Sequence, residues 1–189
     1  MRTTAPPRIE LRRETPARIL HLARPIPGPS LSELLVSFQA AELPAPGRSV
    51  AEKARSILGI GRGRWWLVEE KPVQPHDSPP TTTTSFGIAI DIGDACERFR
   101  ISGECVLDLL SKGSALDLDR RAFANGACAL SSFAQLHALL HRAPDGGHFD
   151  LYCGFSYAQS LEEWLCEAAA ELGWEGPIGK GGATAKVRT

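Results

Sequence analysis

Residues 91–164 read DIGDACERFRISGECVLDLLSKGSALDLDRRAFANGACALSSFAQLHALLHRAPDGGHFDLYCGFSYAQSLEEW, and the changes of periodicity along this stretch decide the fold. Gly87 to Ile92 and Arg98 to Ile101 are short runs of strand character. Ser102 stands where it would cap a helix with apolar face Val106, Leu107, Leu109 and Leu110, and Gly113 would end that helix in the left-handed conformation. Ala127 to Phe133 and Leu136 to Arg142 predict two further strands. Pro144-Asp145-Gly146-Gly147 turns the chain into a strand from Phe149 to Phe155, along which Phe149, Leu151, Cys153 and Phe155 alternate onto one face. Ser156-Tyr157-Ala158-Gln159 has the form of a capping box. The helix it opens would bury Leu161, Trp164, Leu165, Ala168, Ala169 and Leu172, and Gly173 would close it. Helices and strands mix without strict βαβ repetition and without a repeat of solenoid period. The predicted class is α+β, with mixed, mainly antiparallel sheets and packed helices.

Towards the N-terminus the signals are sparser. Arg18 to Ala23 predicts a strand, after which Pro25, Pro27 and Pro29 forbid regular structure. Ser30-Leu31-Ser32-Glu33 is a capping box. Leu31, Leu34, Leu35 and Phe38 follow it at helical spacing, which predicts a helix to about Glu42. Ser56 to Ile60 and Arg64 to Val68 predict a hairpin turned by Gly61-Arg62-Gly63. The predicted organisation is a flexible segment 1–17, an N-terminal half 18–70, a Pro/Thr-rich loop 71–85, a C-terminal half 86–174 and a flexible basic tail 175–189.

Composition bounds the function. A chain of 189 residues with 43% apolar residues and a net charge of -1 suits one globular domain or two small halves sharing a core. That charge balance argues against a whole-surface nucleic-acid binder. No window approaches the roughly 20 apolar residues that span a bilayer. Nothing at the N-terminus resembles a secretory signal, so a cytoplasmic location is expected. The five cysteines, at 96, 105, 128, 153 and 166, contain no C-x-x-C and read as buried small hydrophobes.

Each candidate site has a plainer reading that fits it better. Gly59-Ile60-Gly61-Arg62-Gly63 imitates a dinucleotide loop but runs into the strand-like Arg64-Trp65-Trp66-Leu67-Val68, where a phosphate site needs a helix. His137 and His141 lie four apart on a predicted strand, with no carboxylate between them. Ser102, Ser131, Ser132 and Ser156 lack a nucleophile-elbow context. Asp117 and Asp119 fit solvated turn positions better than an acid–base pair. No catalytic, cofactor-binding or metal-binding residue is assigned. Trp65 and Trp66 are adjacent on a strand and must face opposite ways; one enters the core and the other is a candidate interface residue.

Several motifs in order carry a family resemblance. They are Leu58 to Val68, Asp91-Ile92-Gly93-Asp94, Lys112-Gly113-Ser114-Ala115-Leu116-Asp117-Leu118 and Phe123-Ala124-Asn125-Gly126-Ala127-Cys128-Ala129. Together they resemble the gamma subunit of heterotetrameric sarcosine oxidase over about 58–173. The departures are the 71–85 loop, Ser114-Ala115 in place of Cys-Pro, and Ser131-Ser132 where the family usually has Thr. The family's fold is similar to the folate-binding part of the glycine-cleavage T-protein. That enzyme carries an acidic residue on the strand corresponding to Leu136 to Arg142, where this chain has none. The resemblance implies a non-catalytic accessory subunit of a complex that oxidatively demethylates sarcosine. It implies alpha, beta and delta subunits as partners, with FAD, FMN, NAD and tetrahydrofolate held on the large subunits and no cofactor on this chain. A free-standing folate or one-carbon protein, or an accessory subunit of another secondary-amine oxidase or dehydrogenase, are the alternatives.

Overall fold

β-Strands dominate the computed structural model, which describes residues 9–24, 28, 30–52, 54–72, 82–84 and 87–182. In chain order the elements are β1 (Glu10–Thr15), β2 (Arg18–Ala23), α1 (Leu31–Ser37), β3 (Ser49–Glu52), β4 (Arg55–Gly61), β5 (Arg64–Glu69), β6 (Thr82–Thr84) and β7 (Gly87–Asp91). There follow β8 (Cys96–Ser102), α2 (Val106–Gly113), β9 (Cys128–Phe133), β10 (Leu136–Arg142), β11 (Phe149–Gly154), α3 (Ala158–Ala170) and β12 (Gly179–Gly182). Among the described residues they build two six-stranded sheets, ordered β12-β1-β8-β11-β10-β9 and β3-β4-β5-β2-β7-β6. Every pairing is antiparallel except the parallel contact of β12 with β1. The α+β class with mainly antiparallel sheets is what forms.

The order of layers follows from strand alternation. On β8, Phe99 and Ile101 point to one face, where they meet Leu151 of β11, Leu140 of β10 and the apolar stripes of α2 and α3. On the second sheet Leu20, Leu22, Ile57, Trp65 and Leu67 form the outer face, covered by Leu34 of α1 and Phe38 just after it. The remaining faces meet between the sheets, where Ile19, Leu58 and Val68 pack on Cys128, Leu139 and Tyr152. Helices thus lie outside and the sheets face one another. Backbone bonds also join the sheets, Ser49 N–H to Gly126 O at 2.7 Å and Cys128 N–H to Gly47 O at 3.0 Å.

The sheets do not divide the chain where the loop suggested. β1 lies in the expected flexible segment, yet it pairs with β8 and buries Leu11. β12 lies in the expected flexible tail, yet it pairs with β1. Both extend the sheet that β8, β9, β10 and β11 of the 86–174 half build. β7 lies in that later half and joins the earlier sheet instead, and β6 takes Thr82–Thr84 out of the expected loop to pair with it. Of that loop, residues 73–81 lie outside the described residues, as do the three prolines after β2.

Several local expectations are corrected by competing geometry. The Ser30 capping box forms as read, but α1 stops at Ser37, and Gln39 takes φ 51. Ser102 does not cap α2; its hydroxyl turns to Glu10 Oε2 at 3.3 Å, and the helix begins three residues later than its cap would require. Gly113 is the last residue of α2 rather than a left-handed residue beyond it. A Cβ there would stand 2.7 Å from both the Phe133 and Trp164 rings, so the position is small because two aromatics close over it. Ser156 makes no capping box: a single 3-10 turn, Phe155–Tyr157, precedes α3, and Phe155 is exposed instead of continuing the β11 alternation. Gly173, at φ 81, does close that helix region.

Candidate functional site

Three buried polar side chains, Arg98, His141 and Asp150, lie between the sheets. The alternation that sends Phe99 and Ile101 towards the helices sends Arg98 and Arg100 the other way. β11 adds Asp150 and Tyr152 to that face, β10 adds His141 and β1 adds Glu14. Ser49 and Glu70 reach in from the second sheet. Arg98 and Asp150 are 2% and 3% exposed, so each needs a counter-charge.

Each of these two finds several. Arg98 donates to Glu70 through Nη1 at 2.6 Å and Nη2 at 2.9 Å, and to Glu14 Oε2 at 2.9 Å. Arg100 clasps Asp150 by two bonds, Nε to Oδ1 at 2.8 Å and Nη2 to Oδ2 at 3.1 Å. Its Nη1 stands 3.1 Å from Glu14 Oε2, and His148 Nε2 stands 3.5 Å from Asp150 Oδ2. The Arg98–Glu70 fork crosses from one sheet to the other. Burial alone would raise the Asp150 carboxyl; the contacts of His148, Arg100 and Arg98 outweigh it and hold the group well below the usual carboxylate range. Burial likewise opposes the Arg98 charge, and the Glu70 hydrogen bond together with Tyr152, Asp150 and Glu70 more than restores it.

A serine, a histidine and an aspartate fall in line here. Ser49 Oγ lies 2.9 Å from His141 Nε2, but His141 Nδ1 is 4.0 Å from Asp150 Oδ2 and has no hydrogen-bond partner. The Ser49 hydroxyl also has the Gly126 carbonyl at 3.0 Å as an acceptor for its one proton. A relay needs the aspartate bonded to the imidazole, and Asp150 is bonded to Arg100 instead. Burial pushes His141 down to about 4, with Asp150 offsetting part of the effect. The arrangement ties β3 to β10 and keeps a neutral imidazole inside.

The residues singled out from sequence are scattered. Gly59 to Gly61 end β4 and the hairpin turns at Arg62-Gly63: Gly63 has φ +70, and a Cβ on Gly59 would lie 2.3 Å from the Ala45 carbonyl oxygen. His137 is exposed and His141 buried. Among the described residues no three His, Cys, Asp or Glu side chains gather as metal ligands. Asp117 and Asp119 accept from the backbone N–H two residues on, at 3.0 and 2.8 Å. Trp65 and Trp66 do face opposite ways, but both directions are internal. Trp65 Nε1 donates to Pro44 O at 2.9 Å beneath α1, and half-buried Trp66 packs edge-on against Tyr152 at 5.8 Å between the sheets. The partner-facing role thus has no freely exposed tryptophan behind it. Sequence reasoning passed over Arg98, Arg100 and Asp150. The available signal was a charge at each alternate position of otherwise apolar strands, F-R-I and F-D-L-Y.

The two facing sheets with outer helices form an α+β fold that two kinds of solved structure share. Glycine cleavage system aminomethyltransferase T from Bartonella henselae aligns with 86% of this chain and 46% of its own, at TM-score 0.60 and 15% identity. A chain of heterotetrameric sarcosine oxidase from Corynebacterium sp. U-96, in complex with pyrrole 2-carboxylate, aligns with 89% of this chain and 87% of its own. There the TM-score is 0.74 and the identity 18%. No family model and no curated protein matches the sequence.

Proposed function

We propose that this chain is the gamma-type accessory subunit of a sarcosine oxidase-type heterotetramer that oxidatively demethylates sarcosine. The observation that carries this reading is the extent of the match. The chain corresponds to nearly the whole of one chain of a heterotetrameric oxidase, and to less than half of a glycine cleavage system aminomethyltransferase. The chemistry of the described residues supports it. β10 carries no carboxylate to work on a folate-linked amine, and the nearest, Asp150 on β11, is clasped by Arg100. Gly59 to Gly63, which imitates a dinucleotide loop, leads from β4 into β5 rather than into a helix. FAD, FMN, NAD and tetrahydrofolate then reside on the large subunits, and this chain braces them.

Co-production of the chain with the alpha, beta and delta subunits from the same source tests the proposal. One flavin-containing species holding all four chains on size exclusion is the expected result. Assembly of the other three with this chain left behind contradicts it, and a tight folate isotherm on the isolated chain would point to a T-protein-like role instead.

A further inference from the structure

The outer side of α3 carries an unmatched charge beside exposed aromatic surface. Phe155 and Tyr157, in the turn before the helix, are 59% and 49% exposed. Phe155, Gln159, Glu162, Glu163 and Glu167 line a groove closed on one side by Arg13 of β1. Arg13 Nη1 donates to Glu162 at 2.9 Å and so answers one of the three carboxylates. Gln159 Nε2 donates to Glu163 at 3.0 Å, but among the described residues neither Glu163 nor Glu167 meets a cation. The two are four apart on a helix that contains no Lys or Arg, a spacing at which like charges repel.

We propose that this groove receives an arginine-bearing segment of a large subunit of the oxidase, an inference that rests on the accessory-subunit reading. An arginine fits all the features at once. Its planar guanidinium stacks on an exposed ring and takes a carboxylate through two parallel bonds, neither of which a lysine does as well. The acidic lining repels phosphate, which excludes nucleic acid and anionic lipid as the occupant. Exposed aromatics flanked by charges of one sign are the usual make-up of a contact that steers and then anchors a partner.

The test is the affinity of this chain for the purified large subunits at two salt concentrations. Glu163→Lys combined with Glu167→Lys should weaken binding about tenfold or more and flatten its salt dependence. Phe155→Ser and Gln159→Lys change exposed positions and should each weaken binding several-fold; they keep the test open if the double reversal disturbs α3. Val36→Ser, at an exposed site on α1 across the molecule, should bind as the unaltered chain does. Groove variants that bind normally overturn this inference and leave the accessory role standing. An unaltered chain that binds no large subunit overturns the accessory role itself. A homodimer that the groove variants abolish assigns the surface to a second copy of the chain and overturns the arginine segment.

Discussion

Asp150 is where the charges between the sheets converge, and its removal isolates them. Asp150→Asn takes the bidentate partner from Arg100, which is partly exposed and keeps Glu14, so it should cost about 1.5–3 kcal/mol, measured by urea unfolding. His141 sets an acid limit a few ångströms away. Its pKa falls from 6.5 in the open chain to about 4 when folded, so between these values the unfolded chain binds more protons. Stability is therefore full above pH 6.5 and declines as pH falls towards 4, by up to about 3 kcal/mol. The depressed Asp150 carboxyl adds a further loss at still lower pH, with the same sign. His141→Asn should flatten the decline between pH 6.5 and 4; an unaltered slope would mean that another group titrates there. Trp65 is buried, and its indole N–H is bonded to Pro44 O, so Trp65→Ala should cost about 3–5 kcal/mol in the thermal unfolding of the free chain. Half-buried Trp66 should cost less when truncated. Alternation along β5 revealed that the two rings part ways. That a second sheet waits on the far side depends on contacts distant in sequence, such as that of Trp66 with Tyr152, which no local pattern displays.

At the scale of elements, the strands were the most legible. β2, β4, β5, β9, β10 and β11 fall within a residue or two of their apolar runs, because each buries at least one face. Helix starts were less so. A serine followed by a helical stripe suggested caps at Ser102 and Ser156, yet Ser102 found a better partner in Glu10, and α3 starts after a 3-10 turn. The β9–β10 turn was hidden for a different reason. Ala134 and Gln135 adopt φ 47 and 66, a conformation usually announced by Asn or Gly. Gly113 shows the same gap between propensity and packing. Ala is the better helix former, but its Cβ would press on the Phe133 and Trp164 rings, which meet edge-on at 5.2 Å. Gly113→Ala should therefore lower stability by about 1–3 kcal/mol as an overpacked core site, read from the melting temperature. A gain in stability would show that the rings yield freely.

Across the whole molecule, the fold is completed by its least conspicuous segments. β1 has only Leu11 to mark a buried face within an arginine- and glutamate-rich run, and β12 is Gly-Lys-Gly-Gly, yet both close the sheet that carries the buried charges. Their strand character comes from partners already in place rather than from their own composition. The charged seam was legible only as isolated charges; pairing Arg98 with Glu70 and Arg100 with Asp150 requires the register of β1, β8 and β11. The Arg98–Glu70 and Ser49–His141 contacts in this seam hold the two sheets together, and under the proposed accessory role the chemistry proceeds on other subunits. Ser49, whose hydroxyl sits 2.9 Å from His141 Nε2, tests that most directly. The decisive measurement is sarcosine turnover by the assembled heterotetramer containing Ser49→Ala. The account predicts an intact complex with kcat unchanged. Loss of turnover in a complex that remains fully assembled and flavin-loaded would contradict it.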